Sequence, residues 1–246
     1  MLVVAMLVGA MATSFAQEKD PTDGLKLRPA QRNELKARMN SGREKMRATR
    51  DDLRTARMEL FHQLQQYRFD NKRVQNTVLK INGIQRRLMR TSLDTQKGLR
   101  QILTRDQFKQ LGQMIDKRGK NAGRSGRESW QGFDVPKDMD IKRLRLSDDQ
   151  QKRIKRLFDK SENTSEQLAA RRRGEMQNLR KLYLNYDLDQ KKVNAQMDKV
   201  GDIELAILKQ TVARQSELRR ILTESQFKSL VKTIKPPPRW RDRNRR

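Results

Sequence analysis

The chain contains no cysteine, one histidine (His62) and few aromatic residues, which make up 5% of its sequence. The absence of cysteine excludes disulfides, thiolate nucleophiles and thiolate metal ligands. A single histidine leaves no second imidazole for a metal site or for a hydrolytic triad, so we expect His62 at the surface or in a helix seam. So few aromatic residues suit long amphipathic helices that share a thin apolar seam.

Carboxylates offer no better candidate for a reaction centre. The adjacent pairs Asp51-Asp52 and Asp148-Asp149 are followed by basic residues, as expected of helix N-termini and solvated helix faces. We therefore expect no catalytic residue, no bound metal and no cofactor, and we predict that the protein is not an enzyme.

Positive charge is abundant. Lys and Arg number 57 against 30 Asp and Glu, a formal net charge of +27. A field of this size attracts acidic polypeptides, anionic membrane surfaces and other polyanions, without selecting among them.

The first sixteen residues carry no charge. Residues 2–11 form an apolar run too short to span a bilayer, and Ser14-Phe15-Ala16 has the small-x-small pattern of a signal-peptidase site. We predict an export signal over residues 1–16, cut before Gln17. An uncleaved N-terminal anchor is the alternative.

One hexapeptide occurs twice. Residues 103–108 read Leu-Thr-Arg-Asp-Gln-Phe and residues 222–227, 119 positions later, read Leu-Thr-Glu-Ser-Gln-Phe. Thr followed three positions on by Gln is a capping box, and the flanking Leu and Phe suit a hydrophobic staple. With the same offset, residues 27–115 and 146–234 share 22 identities in 89 positions, which indicates a duplicated domain.

Apolar spacing predicts the same helical plan in each copy. A long helix runs from residue 27 to about 66, Asp70 caps a long return helix, and a short helix follows over Thr104–Ile115. Because two long helices joined by a short turn must run antiparallel, the predicted fold class is all-α, with two tandem helical hairpins, each followed by a short capped helix, and a flexible linker between the copies.

Composition sets the remaining boundaries. Gly119, Gly123, Gly126, Gly132 and Pro136 indicate a flexible or irregular linker, and Pro236-Pro237-Pro238 cannot continue a helix. Trp130 and Phe133 in the linker are expected to pack on a helix. The predicted segments are a signal (1–16), a disordered leader (17–26), the first unit (27–115), a linker (116–145), the second unit (146–234) and a basic disordered tail (235–246).

Two basic clusters with a methionine are candidate sites for loose binding of unfolded chains. Charge would attract the client and flexible thioethers would adapt to its apolar groups. The candidates are Arg86, Arg87, Met89, Arg90, Arg171, Arg172, Arg173 and Met176. Ordinary solvated helix faces are the alternative explanation.

The pattern Leu-Thr/Ser-x-x-Gln, at the start of a unit and again before its last helix, resembles the Spy/CpxP family of bacterial periplasmic proteins with LTxxQ motifs. Three of four positions match, and the first keeps only Leu and Gln. The motif residues, which we expect to act as structural caps, are Leu27, Gln31, Leu103, Thr104, Gln107, Phe108, Leu146, Ser147, Gln150, Leu222, Thr223, Gln226 and Phe227.

The resemblance implies a periplasmic helical protein. Family members form bowed hairpins, commonly paired as cradle-shaped homodimers, and several act as ATP-independent chaperones or envelope-stress modulators. For this chain it implies a fused pair whose two units pair intramolecularly, with a further homodimer left open. Some relatives bind metals, but a lone His62 makes them a poor guide.

Three functions remain open at this point. The first is a periplasmic holdase for unfolded or acidic polypeptides. The second is a module that binds nucleic acid, anionic lipid or glycolipid, although Trp240 in the basic tail is a rare aromatic for stacking on bases. The third is a structural scaffold that pairs through its helical seams.

Overall fold

The structure, a computed structural model, describes residues 23–121 and 144–234, and all regular structure in these two stretches is helical. A 3₁₀ turn at Asp23–Leu25 precedes the first α-helix. The six α-helices are α1 (Pro29–Gln65), α2 (Asn71–Ile102), α3 (Arg105–Asn121), α4 (Asp148–Leu184), α5 (Gln190–Ile221) and α6 (Glu224–Thr233). The predicted all-α class is confirmed for this part of the chain, where there is no strand.

Helix starts lie where capping residues predict them. The carboxylate of Asp70 accepts a hydrogen bond from the backbone N–H of Arg73 at 3.1 Å, which caps α2. Asp189 accepts from the N–H of Lys192 at 3.0 Å in the same position of α5. In both cases the side chain satisfies a backbone donor that has no partner within the helix.

Two predicted segments differ from the structure at their edges. Helix α3 continues to Asn121, past the predicted end at Ile115, because this stretch contains no proline and a single glycine does not end a helix. The end of the leader is structured as well, since Leu25 is buried in one cluster with Leu111 and Ile115.

Other predicted segments lie outside the described residues. They are the signal (1–16), most of the leader, residues 122–143 of the linker with Trp130 and Phe133, and the tail from residue 235 with Trp240.

The apolar spacing of the sequence corresponds to the buried core. Leu157, Phe158 and Leu168 on α4 are only partly buried, but most other positions of the predicted seams are less than a tenth exposed. On α1 and α2 these are Leu35, Met39, Met46, Leu53, Ala56, Leu60, Val74, Val78, Ile81, Ile84, Leu88, Met89, Leu93, Leu99 and Ile102. Helix α2 therefore buries a broad face that comprises two adjacent apolar stripes, the second formed by Ile84, Met89 and Leu93.

Packing divides the chain into two compact units. The first comprises the described residues of 23–52, 84–121 and 173–201, and its core includes Leu35, Leu111, Leu179 and Tyr183. The second comprises 53–83, 144–172 and 202–234. Its fully buried side chains include Phe61, Ile154 and Phe227.

These compact units do not coincide with the sequence repeats 27–115 and 146–234. Each takes the turn between the two long helices of one repeat and packs it with the opposite end of the other repeat. Sequence periodicity predicts where helices lie and which of their faces are apolar, but it does not specify which apolar faces pack together. The assembly of each compact unit from parts of both repeats was therefore not predicted.

The offset of 119 residues recurs in the structure. The bounds of α4 and α5 equal those of α1 and α2 shifted by 119, and α6 begins 119 residues after α3. Lys26 and Arg145, also 119 apart, are the two non-glycine residues with positive φ in the described chain, each at 47°. Each lies just before the leucine that opens a repeat.

The long helices are strongly charged along their length. In the described part of the chain, none combines the length and apolarity required to cross a membrane.

Candidate functional site

The repeated hexapeptides form the caps that their sequence predicts. The Thr104 N–H donates to Gln107 Oε1 at 3.0 Å, and the Gln107 N–H donates to Thr104 Oγ1 at 3.3 Å. Thr223 and Gln226 form the same reciprocal box at the start of α6. The flanking residues Leu103, Phe108, Leu222 and Phe227 are buried.

The motifs that open the repeats differ by one hydroxyl. Ser147 and Gln150 form a full box, with bonds of 3.1 and 3.2 Å. At the first motif the Arg28 N–H donates to Gln31 Oε1 at 3.1 Å, and Arg28 supplies no hydroxyl for the return bond. Leu27 and Leu146 pack inward at both sites.

The motif glutamines also connect distant helix ends. Gln31 Nε2 donates to the carbonyl of Ile102 at 2.9 Å, and Gln150 Nε2 donates to the carbonyl of Ile221 at 2.8 Å. Each amide thus joins the start of one long helix to the last carbonyl of its return helix. The motif is structural at every copy, and this second role of the glutamine is not evident from a capping box alone.

A half-buried arginine holds each turn between long helices, and we call this contact a joint. In the first compact unit, Arg100 donates to the carbonyls of Tyr183 (2.8 Å), Asn185 and Tyr186 (2.9 Å), where α4 ends. Its guanidinium also lies 4.3 Å from the centroid of the Phe108 ring. A cation is well placed there, because the last carbonyls of a helix carry partial negative charge.

Arg219 makes the equivalent joint in the second compact unit. It donates to the carbonyls of Leu64 and Gln66, where α1 ends, and lies 4.3 Å from the centroid of Phe227. Tyr67 hydroxyl donates to the carbonyl of Leu222 at 3.3 Å. In the first unit Tyr186 hydroxyl donates in the same way to Leu103, at 3.2 Å.

Both joint arginines are half-buried, and no carboxylate is among the groups that shift their pKa. Desolvation by burial lowers the pKa of Arg100 and of Arg219 to about 10. Both side chains therefore stay cationic at neutral pH and donate to carbonyl oxygens. Sequence reasoning did not select them, although Arg is identical at both copies. That identity was the available signal.

The candidate client-binding residues separate into three groups. Arg87, Arg90, Arg171 and Arg173 are exposed, and Arg87 also lies 3.7 Å from a carboxylate oxygen of Asp52. Arg86 pairs with Asp198, and Arg172 donates to Glu204 at 2.6 Å. The third group, the two methionines, lies in the core.

The expectation that Met89 and Met176 line a pliable surface is therefore corrected. They are 5% and 6% exposed and belong to the core cluster of the first compact unit. Met89 lies on the second apolar stripe of α2, which the protein buries. The exposed part of each cluster is cationic only.

Among the described residues, the one histidine and the acidic side chains are possible metal ligands. His62 is exposed on α1, its ring 5.7 Å from Phe61 in an edge-to-face arrangement. Residues 23–121 and 144–234 contain no group of three His, Asp or Glu placed to hold a metal ion.

Comparison with protein-family models, with curated proteins and with solved structures finds no match to this chain. The likeness to the Spy/CpxP family stays a prediction that rests on the motifs.

Proposed function

We propose that this protein is an exported, ATP-independent holding protein that binds unfolded, preferentially acidic polypeptides on basic helical surfaces. The observation that carries the proposal is the exposure of Arg87, Arg90, Arg171 and Arg173 in a chain of net charge +27. Cations placed in water attract a flexible anionic chain without requiring a fixed geometry.

Binding of this kind relies on charge more than on apolar capture. Leu79, 56% exposed, is the sole large hydrophobic side chain that is exposed in the described part of the chain. Apolar contact with a client then comes mainly from the aliphatic stems of arginine and lysine, which cover apolar groups while the charged end stays in water. Such contact is weak and adaptable, as release of a client requires.

Export is part of the same proposal and rests on sequence alone, since residues 1–16 lie outside the described chain. Fractionation of producing cells, with sequencing of the mature N-terminus, tests it. Protein in the periplasm that begins at Gln17 supports export, and full-length protein in the cytoplasm contradicts it.

An aggregation assay tests the holding function. Purified protein without ATP is mixed with an acidic and with a basic denatured client, and light scattering is followed at low and moderate salt. We expect suppression that is stronger for the acidic client and declines with salt, because screening weakens attraction between exposed charges. Equal scattering with and without the protein would refute the proposal.

Matched charge reversals locate the surface. Arg87→Glu/Arg90→Glu and Arg171→Glu/Arg173→Glu should each reduce suppression. Lys155→Glu/Arg156→Glu makes the same change in charge at exposed positions nearer the start of α4. A reduction of the same size in the control would show that total charge, and not these arginines, determines binding.

Binding to a non-protein polyanion is the second candidate, favoured by the high charge combined with so little exposed apolar surface. Its signature is affinity for DNA or anionic vesicles that falls steeply with salt. Tight polyanion binding without suppression of client aggregation would favour this second function over the first.

A further inference from the structure

Most contacts at the two joints are made by equivalent residues, 119 positions apart in the two repeats. A few contacts are made at one joint by residues whose equivalents in the other repeat are of a different type. At these positions the residue types differ between the repeats, so that each contact is complementary only when one repeat meets the other. Three such contacts lie within the compact units.

The first is an ion pair at one joint, and the equivalent positions of the other joint carry the same two charge types in exchanged places. In the first unit Arg105, at the start of α3, pairs with Asp187 in the turn after α4, with two bonds of 2.8 Å. The equivalent positions in the second unit are Glu224 and Arg68. The pKa of Glu224 is lowered, chiefly by a hydrogen bond from Lys228 and in smaller part by the positive charge of Arg68.

Pairing of like repeats would reverse this complementarity. Two copies of the first repeat would place Arg105 against Arg68, and two copies of the second would place Glu224 against Asp187. Like charges at the same spacing repel, so these four residues favour contact between unlike repeats.

The second contact involves α2 and α5. Arg86 pairs with Asp198, and its guanidinium lies over Gly201, where an added Cβ would be 2.6 Å from Cζ. In the first repeat, the equivalents of Asp198 and Gly201 are Leu79 and Asn82. Two first repeats would therefore replace the carboxylate by leucine and fill the space that the guanidinium occupies.

The third contact depends on the sizes of two facing side chains, at positions 112 and 184. An added Cβ at Gly112 in α3 would lie 3.3 Å from Leu184 Cδ2, so the glycine leaves room for that leucine. The equivalent of Gly112 in the second repeat is Val231, and the equivalent of Leu184 in the first is Gln65. Two second repeats would press Val231 against Leu184.

We propose that the two repeats carry a pairing code: each joint surface is built to accept the other repeat and to reject a copy of its own. The partner that this surface fits is the complementary repeat of the same sequence. Charge reversal, the Arg86 contact and the glycine–leucine fit select this pairing independently. The inference does not depend on the proposed holding function.

A chain cut after folding tests the code directly. A protease site is introduced within residues 122–143, the purified full chain is cleaved, and the products are unfolded, mixed and refolded. Native mass spectrometry then reports which fragments associate. We expect one first-repeat fragment with one second-repeat fragment, and like pairs or separate fragments would overturn the proposal.

One substitution should relax the code. Arg68→Asp places an acid opposite Glu224 in the unlike pair and opposite Arg105 in a pair of first repeats. We expect the share of first-repeat pairs to rise several-fold in the refolded mixture. Lys72→Asp, an exposed position at the start of α2 with the same change of charge, should leave the unlike pair dominant. Equal behaviour of the two variants would count against the code.

The uncut chain provides a second measurement. Arg68→Asp and Glu224→Arg should each lower the denaturant midpoint, and the loss in the double variant should be smaller than the sum of the two, because opposite charges are restored at this joint while the bond between residue 224 and Lys228 stays lost. Purely additive losses would contradict contact between residues 68 and 224, whatever the fragments do.

Discussion

At the scale of single residues, Arg100 and Arg219 occupy positions that place specific requirements on side-chain shape, donors and hydration. Each guanidinium donates to backbone carbonyls at the end of a long helix and lies over a phenylalanine ring. A planar fork of donors and weak hydration suit arginine to this place, whereas lysine presents its three donors on a compact, strongly hydrated ammonium.

Arg100→Lys should therefore destabilise the protein although it preserves charge. Loss of the forked hydrogen bonds is expected to lower the free energy of unfolding by about 2 kcal/mol, the usual range for bonds to charged groups. Denaturant titration measures it. Arg220→Lys, at an exposed ion pair with Glu217, is the control and should change stability little. Equal effects would show that the joint contributes nothing beyond charge.

Because of Tyr183, we expect the free energy of unfolding to depend on pH in the alkaline range. Its hydroxyl donates to the carbonyl of Met89 at 3.0 Å, and burial, with the charge of Asp94, raises its pKa well above its usual range. In the unfolded chain the phenol ionises near pH 10. The stability that a protonated Tyr183 contributes is thus complete below about pH 10 and declines as pH rises further.

Tyr183→Phe should remove that pH dependence. Free energies of unfolding are compared for the two proteins between pH 7 and 11. The advantage of the tyrosine protein should shrink above about pH 10. A difference between the two that stays constant with pH would show that Tyr183 ionises normally in the fold.

At the scale of helices, the first motif lacks one half of its cap. Gln31 accepts from the Arg28 N–H, but Arg28 has no hydroxyl to accept from Gln31 in return. Arg28→Ser supplies it and should stabilise α1 by about 0.5–1 kcal/mol relative to Arg28→Ala, which isolates the hydroxyl from the loss of the arginine. Thermal unfolding of the two variants measures the difference. Equal stability would mean that the serine does not close the box.

Helix starts and seams could be predicted because they are local. Thr104, Asp70 and Thr223 cap helices through bonds that span three residues, and the positions from Leu35 to Ile102 follow helical spacing. The width of the buried face was harder. Met89 lies on a second stripe, and no rule of spacing states whether such a stripe faces solvent or core.

The joints were not predictable in this way. Arg100 meets carbonyls more than eighty residues away along the chain, and Arg219 meets carbonyls more than one hundred and fifty residues away. A bond to backbone carbonyl oxygens places no demand on the side chains of the residues that supply them, so the sequence carries no partner pattern. Identity between copies marks both arginines as important, but not what they contact.

At the scale of the whole molecule, each compact unit is assembled from both repeats, and Arg219 belongs with the turn at 66–70 and with α6. Arg219→Ala should therefore raise local opening within the second compact unit and not throughout the second sequence repeat. Hydrogen exchange is expected to rise about tenfold at residues 64–70 and 222–227, matching the loss of about 1.5 kcal/mol of hydrogen bonding to a charged group.

Hydrogen exchange at the equivalent turn of the first compact unit shows whether the chain opens by compact units or by sequence repeats. Residues 183–189 belong to the same sequence repeat as Arg219 but to the first compact unit. Their exchange should stay at the level of the unchanged protein, and Arg220→Ala should leave both regions unaffected. Faster exchange throughout residues 146–234, with residues 64–70 still protected, would show that the repeats and not the compact units open together.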